Sequence, residues 1–253
     1  MRVQLPLLSL TLRTPSRQLL SMQTNAMSGG SLSTRTIQDL SSGAQPQIAN
    51  LLCKSFPMSD PYSWGRPLGY TDEGFRSYIE PYTQEYFKKD HHRVIGFKNC
   101  ESDELDAVLL YEPFGKVEID RDKVTYDRNG PIESLMFSCR FQFIDNLLAA
   151  SPSLSSEEAS RLNCGYIAWM AVDPSLRRNG LCLALVQEAT RRMQMGYDCI
   201  IAYCTSPKSR NVFLKAGYEV WGEIKYSTFE VNGSCPYESL PDEVSIMVKR
   251  TQP

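Results

Sequence analysis

Residues Tyr166–Leu185 read YIAWMAVDPSLRRNGLCLAL, and the division of this stretch decides the fold. Tyr166 to Val172 is rich in β-branched and aromatic residues and too short for an ordinary helix, which predicts a strand. Asp173-Pro174 ends it, because proline cannot donate to a ladder and restrains the residue before it. Beyond the turn, Leu183, Val186, Gln187 and Thr190 follow helical spacing as far as a stop at Gly196. The junction is Leu176-Arg177-Arg178-Asn179-Gly180-Leu181-Cys182. A helix start there presents unpaired N–H groups and the positive end of the dipole, which together bind phosphate. Gly180 removes a side chain where an anion would approach. Arg177 and Arg178 add charge suited to phosphate oxygens. The reading is a pyrophosphate cradle, although an Arg-Arg-x-Gly turn taken alone is more often a solvated loop.

The pattern Val172-x-Pro174-x-x-Arg177-x-x-Gly180-x-Cys182 resembles the acetyl-CoA signature of the GNAT superfamily of N-acetyltransferases, (Q/R)xxGx(G/A) after a strand ending V-x-P. Cys182 departs from the usual Gly or Ala. A second block, Phe213-Leu214-Lys215-Ala216-Gly217-Tyr218, resembles the family's Y-x-K-x-G-F element, with Phe213 where a tyrosine often serves as general acid. The resemblance covers roughly Arg35 to Arg250. It implies an α/β (α+β) fold, a mixed and mostly antiparallel central sheet flanked by helices and splayed at the cofactor site. It also implies acetyl-CoA as co-substrate, held by Met170, Ala171, Val172, Arg177, Arg178, Asn179, Gly180, Leu181, Cys182 and Leu183. By the same analogy the Met170 N–H polarises the thioester carbonyl.

Composition narrows the alternatives. The chain has 253 residues, 42% of them apolar, which suits one globular domain with extensions. A net charge of −2 argues against a nucleic-acid footprint. Eight cysteines without a CxxC pair, and only two histidines, the adjacent His91 and His92, make a zinc site a poor reading, so no metal is expected. The scatter of cysteines suits reduced thiols in an intracellular protein. No apolar run approaches the ~18 residues of a membrane span. Residues 1–30 are read as a disordered extension. Met1 to Gln38 has no acidic residue and carries Arg2, Arg13, Arg17 and Arg35. That composition is what a mitochondrial transit peptide looks like; as a plain tail it leaves the protein cytoplasmic.

Residues 31–253 are read as a single N-acetyltransferase domain with an inserted helical segment at about 115–150. Strands are predicted at Thr34–Leu40, Arg93–Lys98, Ala107–Tyr111, Tyr166–Val172, Cys199–Cys204, Tyr218–Tyr226 and Val244–Lys249. Helices are predicted at Gln45–Phe56, Asp72–Lys89 with a kink or break at Pro81, Pro131–Ala149, Leu181–Gly196 and Pro207–Ala216.

The reaction implied by the resemblance is acetyl transfer to an amine. An alkyl amine with a pKa near 10.4 is neutral in only about one molecule in 10³ at pH 7, so a general base is needed. Histidine is set aside, since none lies near the motif. The chain resembles the invertebrate branch of arylalkylamine N-acetyltransferases, whose F-x-x-(D/E)-E-P-L segment carries the basic glutamate. Phe56-x-x-x-Asp60-Pro61-Tyr62 matches loosely, with Asp60 in the base's place; Asp-Pro is also a turn former. That branch uses serines in a S-x-x-(x)-S pattern, and Thr205-Ser206-Pro207-Lys208-Ser209 resembles it. Ser206 reads as the N-cap of the following helix and Ser209 as the catalytic candidate. Alternation puts Tyr166, Ala168, Met170 and Val172 on one strand face. Tyr166 and Tyr203 are candidates for lining the amine pocket, with Tyr166 a reserve proton relay. The expected partner is a small-molecule amine, of arylalkylamine or polyamine type. Neither a nucleic acid nor a membrane is expected as partner, and the oligomeric state stays open. The rivals are a protein lysine or N-terminal acetyltransferase and a non-catalytic CoA-binding module.

Overall fold

The structure, a computed structural model, describes residues 35–56, 71–99, 102–114, 162–231, 233–240 and 243–251, with 138–140, 142, 143, 145, 146 and 149. The elements are β1 (Ile37–Asp39), α1 (Gln45–Ser55), α2 (Asp72–Tyr86), β2 (Arg93–Lys98), β3 (Leu105–Pro113) and β4 (Cys164–Val172). Then follow α3 (Leu181–Met193), β5 (Cys199–Cys204), α4 (Pro207–Lys215), β6 (Glu219–Lys225) and β7 (Glu243–Arg250). The described residues between 138 and 149 are helical.

One seven-stranded sheet runs in the order β1-β2-β3-β4-β5-β7-β6. Every neighbouring pair is antiparallel except β4 and β5. It is the mixed, mostly antiparallel α/β architecture that the sequence predicts. On one face, Leu185, Val186, Ala189 and Met193 of α3 and Phe213 of α4 bury the sheet residues Ile95, Leu109 and Ile167. On the other face, Ile48 and Leu52 of α1 and Ile79 of α2 cover Val94, Val108, Leu110 and Ala171. Further along that face, Cys139 and Phe143 pack with Ile201, Ile246 and Tyr226.

Pro81 does not break α2, contrary to expectation; the helix runs through it. Proline removes one N–H, and side chains supply other donors nearby. The Thr83 hydroxyl donates to the Ile79 carbonyl at 2.9 Å, and the Gln45 amide to the Glu80 carbonyl at 3.3 Å.

Two irregularities of β4 shape everything near it. First, Leu110 pairs with Trp169 and Tyr111 with Ile167, so Ala168 is skipped as a β-bulge. The extra residue inverts the alternation, and the predicted single face of Tyr166, Ala168, Met170 and Val172 does not form. Met170 and Val172 pack on the α3 side, whereas Tyr166 packs on the opposite face with Phe143's cluster. Second, β4 pairs with β5 only from Cys164↔Cys199 to Ile167↔Ala202. Beyond Ile167, β4 continues to Val172 without β5.

Candidate active site

The open edge of β4 leads into the Arg-rich turn. Asp173 ends the strand; its carboxylate accepts from the Ser175 N–H at 2.9 Å and pairs with Lys54 at 2.6 Å. The Ser55 hydroxyl donates to the Val172 carbonyl at 3.1 Å, and Arg177 Nη2 donates to the Ser55 carbonyl at 3.0 Å. These bonds clamp the last turn of α1 to the β4–α3 junction. They also give Arg177 a bracing role that the motif did not predict: it caps carbonyls a helix end leaves unpaired. Arg178, Asn179 and Gly180 are exposed.

Gly180 is the N-cap of α3, with φ 78° and ψ 0° and no side-chain cap. The left-handed conformation asks for glycine. A β-carbon there would find nothing within 4 Å, so the approach to the helix start is open on that side. The N–H groups of Leu181, Cys182 and Leu183 lie in the first turn, where no carbonyl of the helix reaches them. The side chains of Cys182 and Leu183 pack against the α3-side core, and burial pushes the Cys182 thiol up to about 11. The departure at Cys182 therefore points inward, its thiol stays protonated, and its amide remains in the turn. The residues thus suit a diphosphate at the turn and an extended arm along β4.

The opposite face of β4 carries a wall of rings. Tyr166 lies 5.3 Å from Tyr203 and 5.8 Å from Phe114, centroid to centroid. Phe114 meets Phe143 at 5.8 Å, and Arg140 sits 4.5 Å over the Phe114 ring. Trp169 is flanked by Phe56 at 5.2 Å and Tyr82 at 5.8 Å. Burial raises Tyr166 and Tyr203 far above the ordinary phenol range, so both stay neutral. The Tyr203 hydroxyl is buried with no partner among the described residues.

One carboxylate enters this wall. Glu112 pairs with Tyr166 across β3 and β4, and its Oε2 lies 3.2 Å from His92 Nδ1. The His92 ring in turn lies 4.2 Å from Tyr86. Burial raises the Glu112 carboxyl. Burial, and then Lys89, His91 and Arg93, lower His92 to about 4, so the imidazole is neutral at pH 7. No histidine lies near the motif in the sequence, yet in the fold His92, just ahead of β2, lies beside Tyr86 of α2 and Glu112 of β3. Glu112 was missed because the predicted strand stopped at Tyr111. A signal existed, since Val108, Leu110 and Glu112 alternate onto one inward face.

The other candidates are distributed as follows. Ser206 caps α4 as its Ser-Pro signal predicts, and Ser209 closes a capping box with it. The Ser209 hydroxyl donates to the Ser206 carbonyl at 2.8 Å, so any proton transfer through it must first break that bond. Phe213 is buried edge-on against Tyr218 at 4.9 Å, and the Tyr218 hydroxyl bonds Thr190 at 2.8 Å. Asp60 and the stretch Pro61-Tyr62-Ser63-Trp64 lie outside the described residues, as does most of the insertion at 115–150. Among the described residues no three His, Cys, Asp or Glu side chains gather as a metal site, and no helix is long and apolar enough to cross a membrane.

Comparison with known proteins agrees with this fold. Residues 138–218 match the acetyltransferase (GNAT) family. No curated protein sequence matches the chain. Among solved structures, arylalkylamine N-acetyltransferase 2 from Aedes aegypti superposes with TM-score 0.68 at 17% identity, over 87% of this chain and 100% of that one. The C-terminal condensation domain of Ebony, in complex with beta-alanyl-dopamine, gives 0.61 at 13% identity, over 85% and 98%. A polyamine N-acetyltransferase from Drosophila melanogaster that forms N-acetylagmatine gives 0.52 at 16% identity, over 85% and 99%. At these identities the likeness is one of fold.

Proposed function

We propose that this protein, whose residues 138–218 match the acetyltransferase (GNAT) family, transfers the acetyl group of acetyl-CoA to a small primary amine, within a ternary complex. The observation that carries the reading is the parting of β4 from β5 after Ile167↔Ala202, directly before an uncapped helix start. A strand edge with free amides can pair with the amides of a pantetheine arm, and the α3 first turn can hold the diphosphate. Acetyl-CoA supplies an activated acyl group. Met170 would donate its N–H to the thioester carbonyl, where negative charge develops during attack. Arg178, Asn179, Gly180, Leu181 and Cys182 would hold the phosphates, with Arg177 fixing the turn through α1.

On the acceptor side, an aromatic wall that holds one carboxylate among the described residues favours an arylalkylamine. The fold neighbour that forms N-acetylagmatine is the reason to include polyamines in the assay. The test is thiol release from acetyl-CoA by the purified protein across tyramine, dopamine, serotonin, putrescine, agmatine and a lysine peptide. Release stimulated most by the aromatic amines supports the reading. Stimulation by the peptide alone would favour a protein acetyltransferase, and tight CoA binding without any stimulation a non-catalytic module.

A further inference from the structure

A carboxylate half-enclosed by aromatic rings is an unusual thing to keep on a sheet face. Glu112 stands at the inward-facing end of the Val108, Leu110, Glu112 row, opposite Tyr166. Its side chain and that of His92 retain 20% and 13% exposure, so both can be reached. No cation neutralises Glu112 at contact distance among the described residues: its close partners are an imidazole that burial keeps neutral and the neutral Tyr86 hydroxyl. A buried carboxylate is costly without a positive partner, and an ammonium arriving from outside would be that partner.

We propose that Glu112 receives the substrate's ammonium and takes its proton, with His92 behind it as the outlet to solvent. This rests on the acetyl-transfer reading and assigns its missing base. Leu109, the rung partner of Met170, is three residues before Glu112 on β3, a span of roughly 10 Å at strand spacing. With the roughly 4.8 Å step across from β3 to β4 the separation is larger still, so the substrate amine and a bridging water must lie between the carboxylate and the thioester. Tyr166 and Tyr82 both feel the charge of Glu112, so aromatic rings stand beside the place where the cation would arrive.

The protons balance. Glu112 removes one proton from the ammonium and passes it through His92 to solvent. The freed nitrogen lone pair forms the N–C bond, and the C–S bond breaks with its electrons on sulfur. The proton shed by the new amide nitrogen ends on the CoA thiolate. The charged or titratable groups facing Glu112 are Tyr82, Tyr86 and Lys89 from α2 and the turn after it, His92 ahead of β2, and Tyr166 from β4. Lys89 lowers the Glu112 pKa, but burial outweighs it and the net shift is upward.

The test uses full-length protein with tyramine as probe. Glu112→Gln should leave acetyl-CoA affinity within about twofold and weaken tyramine binding to the CoA-bound protein, by calorimetry, at least about tenfold. It should lower kcat/KM about 10²–10⁴-fold and remove the acid limb of its pH profile. Should that variant not fold, Glu112→Asp keeps the charge but shortens the reach; a reduced kcat with the acid limb kept is expected of it. Wild-type tyramine binding and pH profile in Glu112→Gln, or a wild-type kcat in Glu112→Asp, overturn the assignment. So does loss of the acid limb in Asp60→Asn while Glu112→Gln keeps it. A wild-type protein that binds acetyl-CoA yet releases no thiol with any amine sinks the acetyl-transfer reading itself, a different result from an active wild type indifferent to Glu112.

Discussion

Two helices follow the central strands of this sheet, α3 after β4 and α4 after β5, and their first turns are built in opposite ways. At α4, Ser206 accepts the Ser209 N–H at 3.3 Å, and Ser209 accepts the Ser206 N–H at 3.3 Å. Pro207 contributes no N–H at all. The first turn of α4 thus spends its own side chains on the Ser206 and Ser209 N–H groups. At α3 the cap is Gly180, which has no side chain to offer, and Leu181, Cys182 and Leu183 keep their amides. The same dipole ends both helices, so dipole alone does not make an anion site. What separates the two is whether the sequence spends its own side chains on the orphan donors.

The contrast can be broken at its strongest point with Gly180→Glu. A β-carbon at φ 78° is strained by about 1–2 kcal/mol, and a carboxylate there opposes the diphosphate. Acetyl-CoA affinity should fall by at least about 100-fold, roughly 2.7 kcal/mol, with the circular dichroism spectrum retained. Normal affinity would refute the cradle. Gly180→Ala carries the strain without the charge. A Tm lowered by several degrees and a loss of affinity smaller than that of the glutamate variant are expected.

Ser206→Ala sharpens the comparison from the other side. Removing this cap should cost about 1 kcal/mol of stability and leave acetyl-CoA affinity unchanged, measured by urea unfolding and calorimetry. A matching loss of affinity would mean that the α4 start also serves the cofactor. The mildest test lies along α3. Glu188 accepts from Arg191 at 2.8 Å and Arg192 at 2.7 Å, and these bonds, Arg191 first, hold its carboxyl down to about 2. A depressed folded pKa stabilises above the unfolded value of 4.5, and the contribution fades as pH falls towards 2. Glu188→Gln should therefore cost at most about 1 kcal/mol at pH 7 and nothing near pH 2. Equal losses at both pH values would exclude the ion pairs as the cause.

Much of this was legible in the chain. The elements from β2 through β7 lie within a few residues of their predicted spans, because periodicity and proline act locally. The strand–turn–helix around Gly180 could be read for the same reason: its chemistry belongs to consecutive residues. Tyr166 shows where such reading stops. Strict alternation placed it with Met170, and one skipped rung at Ala168 moved it to the opposite face. A bulge is a property of two strands in register, and a single strand's sequence does not contain it.

The sequence by itself determined the order of strands and helices, the glycine at the left-handed cap and the absence of a side-chain cap on α3. These follow from the backbone preferences of neighbouring residues. Only the tertiary structure decided that β4 leaves β5 after Ile167, and that Glu112, His92 and Tyr166 meet on one face from three separate segments. Pairing register and burial against α2 set those placements, and both are fixed by contacts between residues far apart along the chain.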